Sequence, residues 1–335
     1  MKVLSRRQVV QGTGAVGLGL LAGCGRLPGQ QRAPGGPEVR RIGVVGDSST
    51  ARWDAFREGL RELGWVEGQN LAVEYRWTEG HNERYGAVAA ELVQLQVELI
   101  VAGGGGASAA AKQATSTVPI VAILGTGEAL ERGIVDSIAR PGGNITGMAG
   151  ISGTQMEGKQ LQLLTEAVPG ASRVAILAPA TGVSAERRTQ ALQSAAPLLG
   201  VQLQVFPVQN PGGIEDAFSA MGAAGVHALK TLPASWLDSR WEQMADLTAR
   251  YRLPALAYNT EFPRAGGLMA YGADRLDIYR RAATYVDKLL KGARPGDLPM
   301  ERPMRFEFVI NLRTAQTLGL TIPPHVLLQA TDLIQ

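Results

Sequence analysis

Short runs rich in β-branched residues alternate with longer segments of helical periodicity along most of this 335-residue chain. Such alternation is typical of βαβ units, in which helices connect parallel strands. At the start of the pattern, a predicted strand at residues 41–46 precedes a predicted helix at residues 53–63. Phe56, Leu60 and Leu63 recur on one face of that helix. The sequence therefore predicts an α/β fold with parallel sheets.

The alternation occurs twice, which predicts two α/β lobes. In the first half the further strands are predicted at residues 71–77, 99–102, 120–124 and 145–151, and the helices at 84–96, 107–114 and 130–139. In the second half the strands are predicted at residues 173–177, 202–206, 228–232, 255–258, 267–271 and 306–310, and the helices at 157–168, 185–199, 214–224, 236–251 and 276–291. Two such lobes place a cleft between the carboxyl ends of two parallel sheets, where α/β proteins bind ligands.

Residues 1–23 are typical of a secretory signal peptide rather than of a folded element. Basic residues precede an apolar stretch that is shorter than the roughly 20 residues a spanning helix needs. The following Leu21-Ala22-Gly23-Cys24 resembles the lipobox of bacterial lipoproteins, which predicts lipid on Cys24 and a tether over residues 24–40. A cysteine buried as a small apolar residue is the alternative. Ser5-Arg6-Arg7-Gln8-Val9-Val10 also resembles a twin-arginine signal, so the twin-arginine and general secretory routes both stay open.

Net charge, the spacing of metal-ligating residues and the positions of glycine motifs argue against nucleic-acid binding, metal sites and nucleotide cofactors. Without residues 1–24 the chain carries 30 basic and 30 acidic residues, so it has no general excess of positive charge to attract phosphates. One cysteine and three scattered histidines offer no metal-ligand spacing. The glycine pattern at residues 12–17 lies inside the signal, and Gln160 stands where a phosphate loop needs Ser or Thr. We expect no cofactor and no metal.

Four local motifs in the chain carry a resemblance to one known family. The resemblance begins with Phe56-Arg57-Glu58-Gly59-Leu60-Arg61-Glu62-Leu63-Gly64-Trp65 and continues with Ala139-Arg140-Pro141-Gly142-Gly143-Asn144-Ile145-Thr146-Gly147. Two later motifs complete it, Gly266-Gly267-Leu268-Met269-Ala270-Tyr271-Gly272 and Phe306-Glu307-Phe308-Val309-Ile310-Asn311-Leu312. In their order these motifs resemble the ABC transporter substrate-binding proteins, and the resemblance covers essentially the whole chain from residue 41 to residue 334.

The resemblance implies a two-lobed type I periplasmic binding-protein fold, each lobe a parallel sheet flanked by helices, joined by a hinge of several strands. Residues 41–148 and 265–297 are expected in lobe I, and residues 149–264 and 298–335 in lobe II. It also implies an extracytoplasmic receptor, expected to be monomeric, that closes on a small solute. The receptor would deliver this solute to a membrane permease driven by a separate ATPase subunit. An aromatic or branched amino acid is the favoured ligand, with a nucleobase, sugar or other small organic solute as alternatives.

In such a fold, ligand contacts come from loops at the carboxyl ends of strands, where helix N-termini offer unpaired N–H groups. In lobe I the candidates are Asp47, Ser48, Ser49, Gly104, Gly105, Ser108, Thr126, Gly127 and Glu128. An amino-acid ligand needs an anion for its ammonium group, and Asp47 or Glu128 can supply it. Both carboxylates can equally serve as helix-terminal residues. The family tends to have Asp-Pro near residues 127–128, and the absence of that Asp here leaves the ligand class open.

In lobe II the corresponding candidates are Thr181, Val183, Pro233, Asn259 and Glu261, with Tyr271 near the predicted hinge. Asn259 is the favoured residue of this group because its amide both donates and accepts hydrogen bonds. Tryptophans at 53, 77 and 236 can stack on a flat ligand, although packing in the core is the more common role of such side chains.

Two other functions compete with solute uptake. An enzyme needs a nucleophile with a base, or a carboxylate pair, in a recognisable setting, and the sequence shows neither a G-x-S-x-G nor an H-E-x-x-H motif. We therefore expect no catalysis. A lipoprotein that passes its ligand to a separate sensor uses the same fold, and neighbouring genes for a permease and an ATPase would distinguish the two functions.

Overall fold

Two β-sheets form the framework of the protein. The computed structural model describes residues 39–124, 133–150, 154–234 and 237–335. The first sheet consists of β1 (Arg40–Gly46), β2 (Leu71–Trp77), β3 (Leu99–Gly103), β4 (Ile120–Ile123) and β5 (Ile145–Met148). The second consists of β6 (Arg173–Pro179), β7 (Gln202–Val208), β8 (Ala228–Thr231), β9 (Ala255–Ala257), β10 (Met269–Ala273), β11 (Phe306–Asn311) and β12 (Asp332–Ile334).

Helices precede or follow most of these strands. They are α1 (Ala51–Glu62), α2 (Tyr85–Gln94), α3 (Gly105–Ala114), α4 (Thr154–Ala167), α5 (Val183–Ala195), α6 (Ile214–Ala224), α7 (Trp241–Arg250), α8 (Glu261–Arg264), α9 (Arg275–Leu290), α10 (Leu312–Thr317) and α11 (Pro324–Leu327). Single 3₁₀ turns occur at Asn82–Arg84, Ala196–Leu199, Pro211–Gly213 and Pro295–Asp297. Among the described helices, none is both long enough and apolar enough to cross a membrane.

The first sheet has the order β2-β1-β3-β4-β5, and every neighbouring pair is parallel. Its central strands are apolar on both faces, as expected for a parallel sheet covered on both sides. In β1, the side chain of Val44 belongs to the hydrophobic cluster formed with α1 and α9. The side chain of the adjacent Val45 belongs to the hydrophobic cluster formed with α2 and α3. This alternation explains why the central strands read as continuous apolar runs.

The second sheet has the order β12-β11-β10-β9-β8-β6-β7. Its pairs are parallel except β10 with β11, which is antiparallel. The exception has a topological cause. After β10 the chain forms α9, which packs against α1, and the chain then enters β11 from the opposite end of the sheet. The expectation of purely parallel sheets is therefore corrected at this pair.

The chain passes between the two sets of elements three times, after β5, after β10 and before β11. Strand β10 pairs in the second sheet, although the sequence prediction placed residues 265–297 with the first lobe. Helix α9 packs on α1, in the first set of elements. The full lobe boundaries stay a prediction.

Most helices and strands lie where the sequence predicts them, but the prediction of one helix is wrong. The predicted helix at residues 130–139 is not found in its described part, residues 133–139. There the Asp136 N–H donates to the Pro141 carbonyl (3.0 Å), and Ser137 Oγ donates to the Arg140 carbonyl (3.0 Å). These local bonds form turns in competition with the helix. Helix α7 also begins at Trp241 rather than at residue 236, and the short α8, α11 and β12 were not predicted.

Candidate functional site

A cavity of about 600 Å³ lies at the carboxyl ends of strands from both sheets. Residues that follow β1 and β3 line one side, and residues that follow β8, β9 and β10 line the other. This volume is within the range of small-molecule pockets. The position at the carboxyl edges agrees with the rule for ligand sites in α/β proteins.

Aromatic rings form the apolar wall of the cavity. Trp53 on α1 packs edge-to-face against Tyr279 on α9, with ring centroids 4.9 Å apart, and both side chains line the cavity. A Cβ at Gly103 would lie 2.7 Å from Trp53 Cζ2 and 3.2 Å from the Tyr279 hydroxyl. The glycine at the end of β3 therefore allows these two rings to approach. Tyr85 and Tyr258 add further aromatic surface.

An ion pair between Asp238 and Arg275 lies in the polar wall. Arg275 Nη1 donates to Asp238 Oδ1 and Oδ2, at 3.2 Å each. The Tyr258 hydroxyl donates to Asp238 Oδ1 at 2.9 Å. Burial raises the pKa of the Asp238 carboxyl, but the charges of Arg275 and Arg52 outweigh it, so the pKa is lower than the ordinary value. Asp238 is therefore an anion at neutral pH, beside a cation that also lines the cavity.

A second cation, Arg52, lies on the same side of the cavity as Trp53. Its Nε is 3.8 Å from Glu261 Oε1, and its guanidinium carbon is 5.7 Å from the centroid of the Tyr279 ring. The side chains of Arg52 and Arg275 thus present two guanidinium groups near Asp238, which suits a ligand that carries both a carboxylate and an ammonium group.

A buried charged cluster adjoins the cavity on the side of the second sheet. Arg188 Nη1 donates to Glu157 Oε1 at 2.7 Å, and Lys230 forms an ion pair with Glu157 Oε2. Burial lowers the pKa of Lys230, and Glu157 opposes this effect. Arg188 also lines the cavity, as does Gln160. We call Glu157, Arg188 and Lys230, with the adjacent Gln160, the Lys230 cluster.

The structure brings part of the predicted lobe I site to the cavity. Asp47, Ser48, Gly104 and Gly105 line it. Asp47 also has a structural role, since its Oδ1 accepts from the Gly80 N–H at 2.8 Å. The remaining described candidates are Ser49, which is exposed, and Ser108, whose Oγ donates to the Gly104 carbonyl at 2.8 Å. Thr126, Gly127 and Glu128 lie outside the described residues.

Of the lobe II candidates, Pro233 lines the cavity. Asn259 is buried next to it, where its Oδ1 accepts from the Glu261 N–H (3.0 Å) and its Nδ2 is 3.4 Å from Asp238 Oδ1. Asn259 thus turns the chain into α8, and Glu261 begins that helix.

The other lobe II candidates lie away from the cavity lining. Thr181 is exposed and lines a smaller surface depression of about 300 Å³, and Val183 begins α5. The Tyr271 ring packs against Phe306 and Phe308, and its carbonyl accepts from Gln160 Nε2 at 2.6 Å.

Sequence reasoning missed the residues that carry most of the charge around the cavity, Arg52, Arg188, Asp238 and Arg275. Three of them lie on helices, and Asp238 lies in the segment between β8 and α7, so a search of the residues directly after strands does not reach them. One signal was available for Arg275. It follows Asp274, whose side chain caps α9 by accepting from the Asp277 N–H at 3.0 Å, so Arg275 was predictable as the first residue of a helix.

No group of three or more potential metal ligands is found within the described residues.

Comparisons with known proteins agree with this architecture. The family model described as ABC transporter substrate binding protein matches residues 41–334. A tyrosine-binding protein of Clostridioides difficile (strain R20291) is 20% identical over 316 residues, which cover 92% of this chain and 90% of that protein.

Solved structures show the same fold. A domain from Streptococcus pneumoniae in complex with L-Trp is 22% identical, with a TM-score of 0.80, and the match covers 89% of this chain and 100% of that one. A conserved domain protein from Vibrio cholerae is 24% identical, with a TM-score of 0.80 over 88% of this chain and 100% of that one.

Proposed function

Because the chain belongs to the ABC transporter substrate-binding protein family, we propose that it captures an amino acid, preferably one with an aromatic or branched side chain, in the cavity between its two sheets. One observation carries the proposal. The cavity combines an anion, Asp238, with the cations Arg275 and Arg52 and with the rings of Trp53 and Tyr279.

Each of these groups matches one part of such a ligand. The guanidinium groups of Arg275 and Arg52 would bind the α-carboxylate, and the Asp238 carboxylate would bind the ammonium group. Trp53 and Tyr279 would contact the ligand side chain over their apolar surfaces. The L-Trp complex of the Streptococcus pneumoniae domain and the name of the Clostridioides difficile relative support this choice of ligand class.

We further propose that the protein serves an uptake system. In this proposal it is exported, carries lipid on Cys24 and delivers its ligand to a permease with a separate ATPase subunit. The lipobox-like Leu21-Ala22-Gly23-Cys24 supports the anchor, although it lies outside the described residues. Multiple acyl chains would retain the receptor at the membrane, since a single chain binds only marginally.

Calorimetric titration of the purified protein with amino acids, sugars, nucleobases and polyamines tests the proposed ligand class. We expect aromatic or branched amino acids to bind and Asp238→Asn to weaken that binding by at least tenfold, because the ammonium group loses a charge-assisted bond. Asp246→Asn is the matched control, since Asp246 is exposed on α7. Binding of a sugar or nucleobase, with no amino acid bound, would contradict the proposal.

A further inference from the structure

Gln160, the neutral member of the Lys230 cluster, lies on a helix that is fixed against the second sheet. The adjacent Leu161 on α4 packs in the same hydrophobic cluster as Leu256 of β9 and Met269 of β10. Gln160 itself lines the cavity and is only 2% exposed. The packing of the helix therefore fixes the backbone of Gln160 at the cavity wall.

A hydrogen bond to the main chain determines the orientation of the Gln160 amide. Its Nε2 donates to the Tyr271 carbonyl oxygen at 2.6 Å. In the opposite orientation Oε1 would face that carbonyl oxygen, and two acceptors repel each other. The oxygen of the Gln160 amide, rather than its nitrogen, is therefore the atom that can bind a further partner.

Gln160 Oε1 is buried and has no hydrogen-bond partner in the part of the chain that the structure describes. A buried acceptor without a partner is unfavourable, and nearly all such groups in folded proteins are paired. The groups assigned above to the ligand head group, on Asp238, Arg275 and Arg52, already match its ammonium and carboxylate. The acceptor at Gln160 is thus available to the remaining part of the ligand, which is its side chain.

We infer that Gln160 is a specificity-determining residue that selects a ligand side chain with a hydrogen-bond donor, such as a hydroxyl group or an indole N–H. The donor binds Gln160 Oε1 when the ligand occupies the cavity. An apolar side chain of the same shape would leave this acceptor unpaired, and sites of this kind discriminate strongly against analogues that lack the donor. The inference rests on the proposed function, because it assumes the proposed head-group contacts. It adds a selection among aromatic and branched amino acids.

Pairs of ligands that differ by one donor test the inference on the unaltered protein. The pairs are L-tyrosine with L-phenylalanine, L-tryptophan with 3-benzothienyl-L-alanine, and L-threonine with L-valine. In the pair that contains the tightest-binding ligand of the six, we expect titration calorimetry to show at least tenfold tighter binding of the member with the donor.

Three results of this titration would overturn the inference and leave the proposed function standing. They are equal binding within that pair, tighter binding of its member without the donor, and tighter binding of L-leucine than of all six ligands. Failure of every amino acid to bind would overturn both the inference and the proposed function.

Substitution of Gln160 identifies the group responsible for the preference. Gln160→Met removes the acceptor at nearly the same side-chain length and should abolish the preference for the member with the donor. Gln162→Met is the matched control on the same helix and should keep the wild-type ratio of the two affinities. The Gln162 amide donates to Glu166 Oε1 at 2.6 Å, and Gln162 is not among the described residues that line the cavity.

A different role of Gln160 predicts a different result for the same variant. If Gln160 only stabilises the fold, Gln160→Met lowers the unfolding temperature while the ratio of the two affinities stays at its wild-type value. If Gln160 binds the ligand ammonium group, the variant weakens the binding of both members equally, and the ratio is again unchanged. An unchanged ratio in Gln160→Met would therefore overturn the inference.

Discussion

Asp238 is the residue on which several polar contacts of the cavity converge. It accepts hydrogen bonds from Tyr258, which follows β9, and from Arg275, the first residue of α9. Burial raises the pKa of the Tyr258 hydroxyl, and the neighbouring Asp238 anion raises it further, so Tyr258 stays a hydrogen-bond donor at neutral pH. The carboxylate is thus held in one position at the cavity wall, where a ligand ammonium group can reach it.

The pH dependence of stability tests this assignment. The pKa of Asp238 in the folded protein is below the ordinary value of 3.8. The ionised Asp238 carboxylate therefore makes its full contribution to the free energy of unfolding at pH values above 3.8. The contribution is lost as the pH falls through the folded-state pKa. We expect Asp238→Asn to lower the free energy of unfolding by about 2 kcal/mol at pH 7.

Chemical denaturation of the wild type and the variant between pH 7 and pH 3 measures this contribution. The difference between the two proteins should stay constant down to about pH 5 and narrow below pH 4. A difference that stays constant down to pH 3 would show that the ionised carboxylate does not stabilise the fold.

At the scale of elements, the contact between α1 and α9 fixes the aromatic wall. Trp53 lies on α1 and Tyr279 on α9, so their edge-to-face contact depends on how closely these helices approach. Gly59 permits that approach, because a Cβ there would lie 2.5 Å from the Arg280 carbonyl oxygen. Backbone atoms cannot move aside as a flexible side chain can.

We therefore expect Gly59→Ala to separate α1 from α9 and to cost about 1–3 kcal/mol of stability. Gly86→Ala is the matched control, since Gly86 lies in α2 and a Cβ there meets no atom within 4 Å. That control should be neutral or more stable by up to about 1 kcal/mol, because alanine favours a helix over glycine. Thermal unfolding of the two variants decides the question, and equal stability would refute the close-approach argument.

The elements were more predictable from the sequence than the site. Strands such as β2 and helices such as α6 follow from periodicity within a few residues, which is a local property of the chain. The polar contacts of the cavity are not local. Arg275 is 37 positions from Asp238, and Lys230 pairs with Glu157 across several elements. A pattern search cannot join such partners, because only the packing of the two sheets brings them together.

On the scale of the whole molecule, polar contacts connect the two sets of elements around the cavity. Arg52 on α1 approaches Glu261 on α8, and Arg275 on α9 pairs with Asp238. A ligand that binds these groups would favour the arrangement in which the sets are close, which is how a hinged receptor couples binding to closure. The proposed receptor therefore uses the same charges for ligand recognition and for contact between its lobes.

A crystal structure of the protein with its tightest-binding amino acid would show directly whether Asp238, Arg275 and Arg52 bind the head group of the ligand. We expect the ligand in the cavity, with its ammonium group within hydrogen-bond distance of Asp238 and its α-carboxylate at Arg275 or Arg52. Its side chain should lie against Trp53 and Tyr279. A ligand bound outside the cavity, or in the cavity without contact to Asp238, would contradict the account.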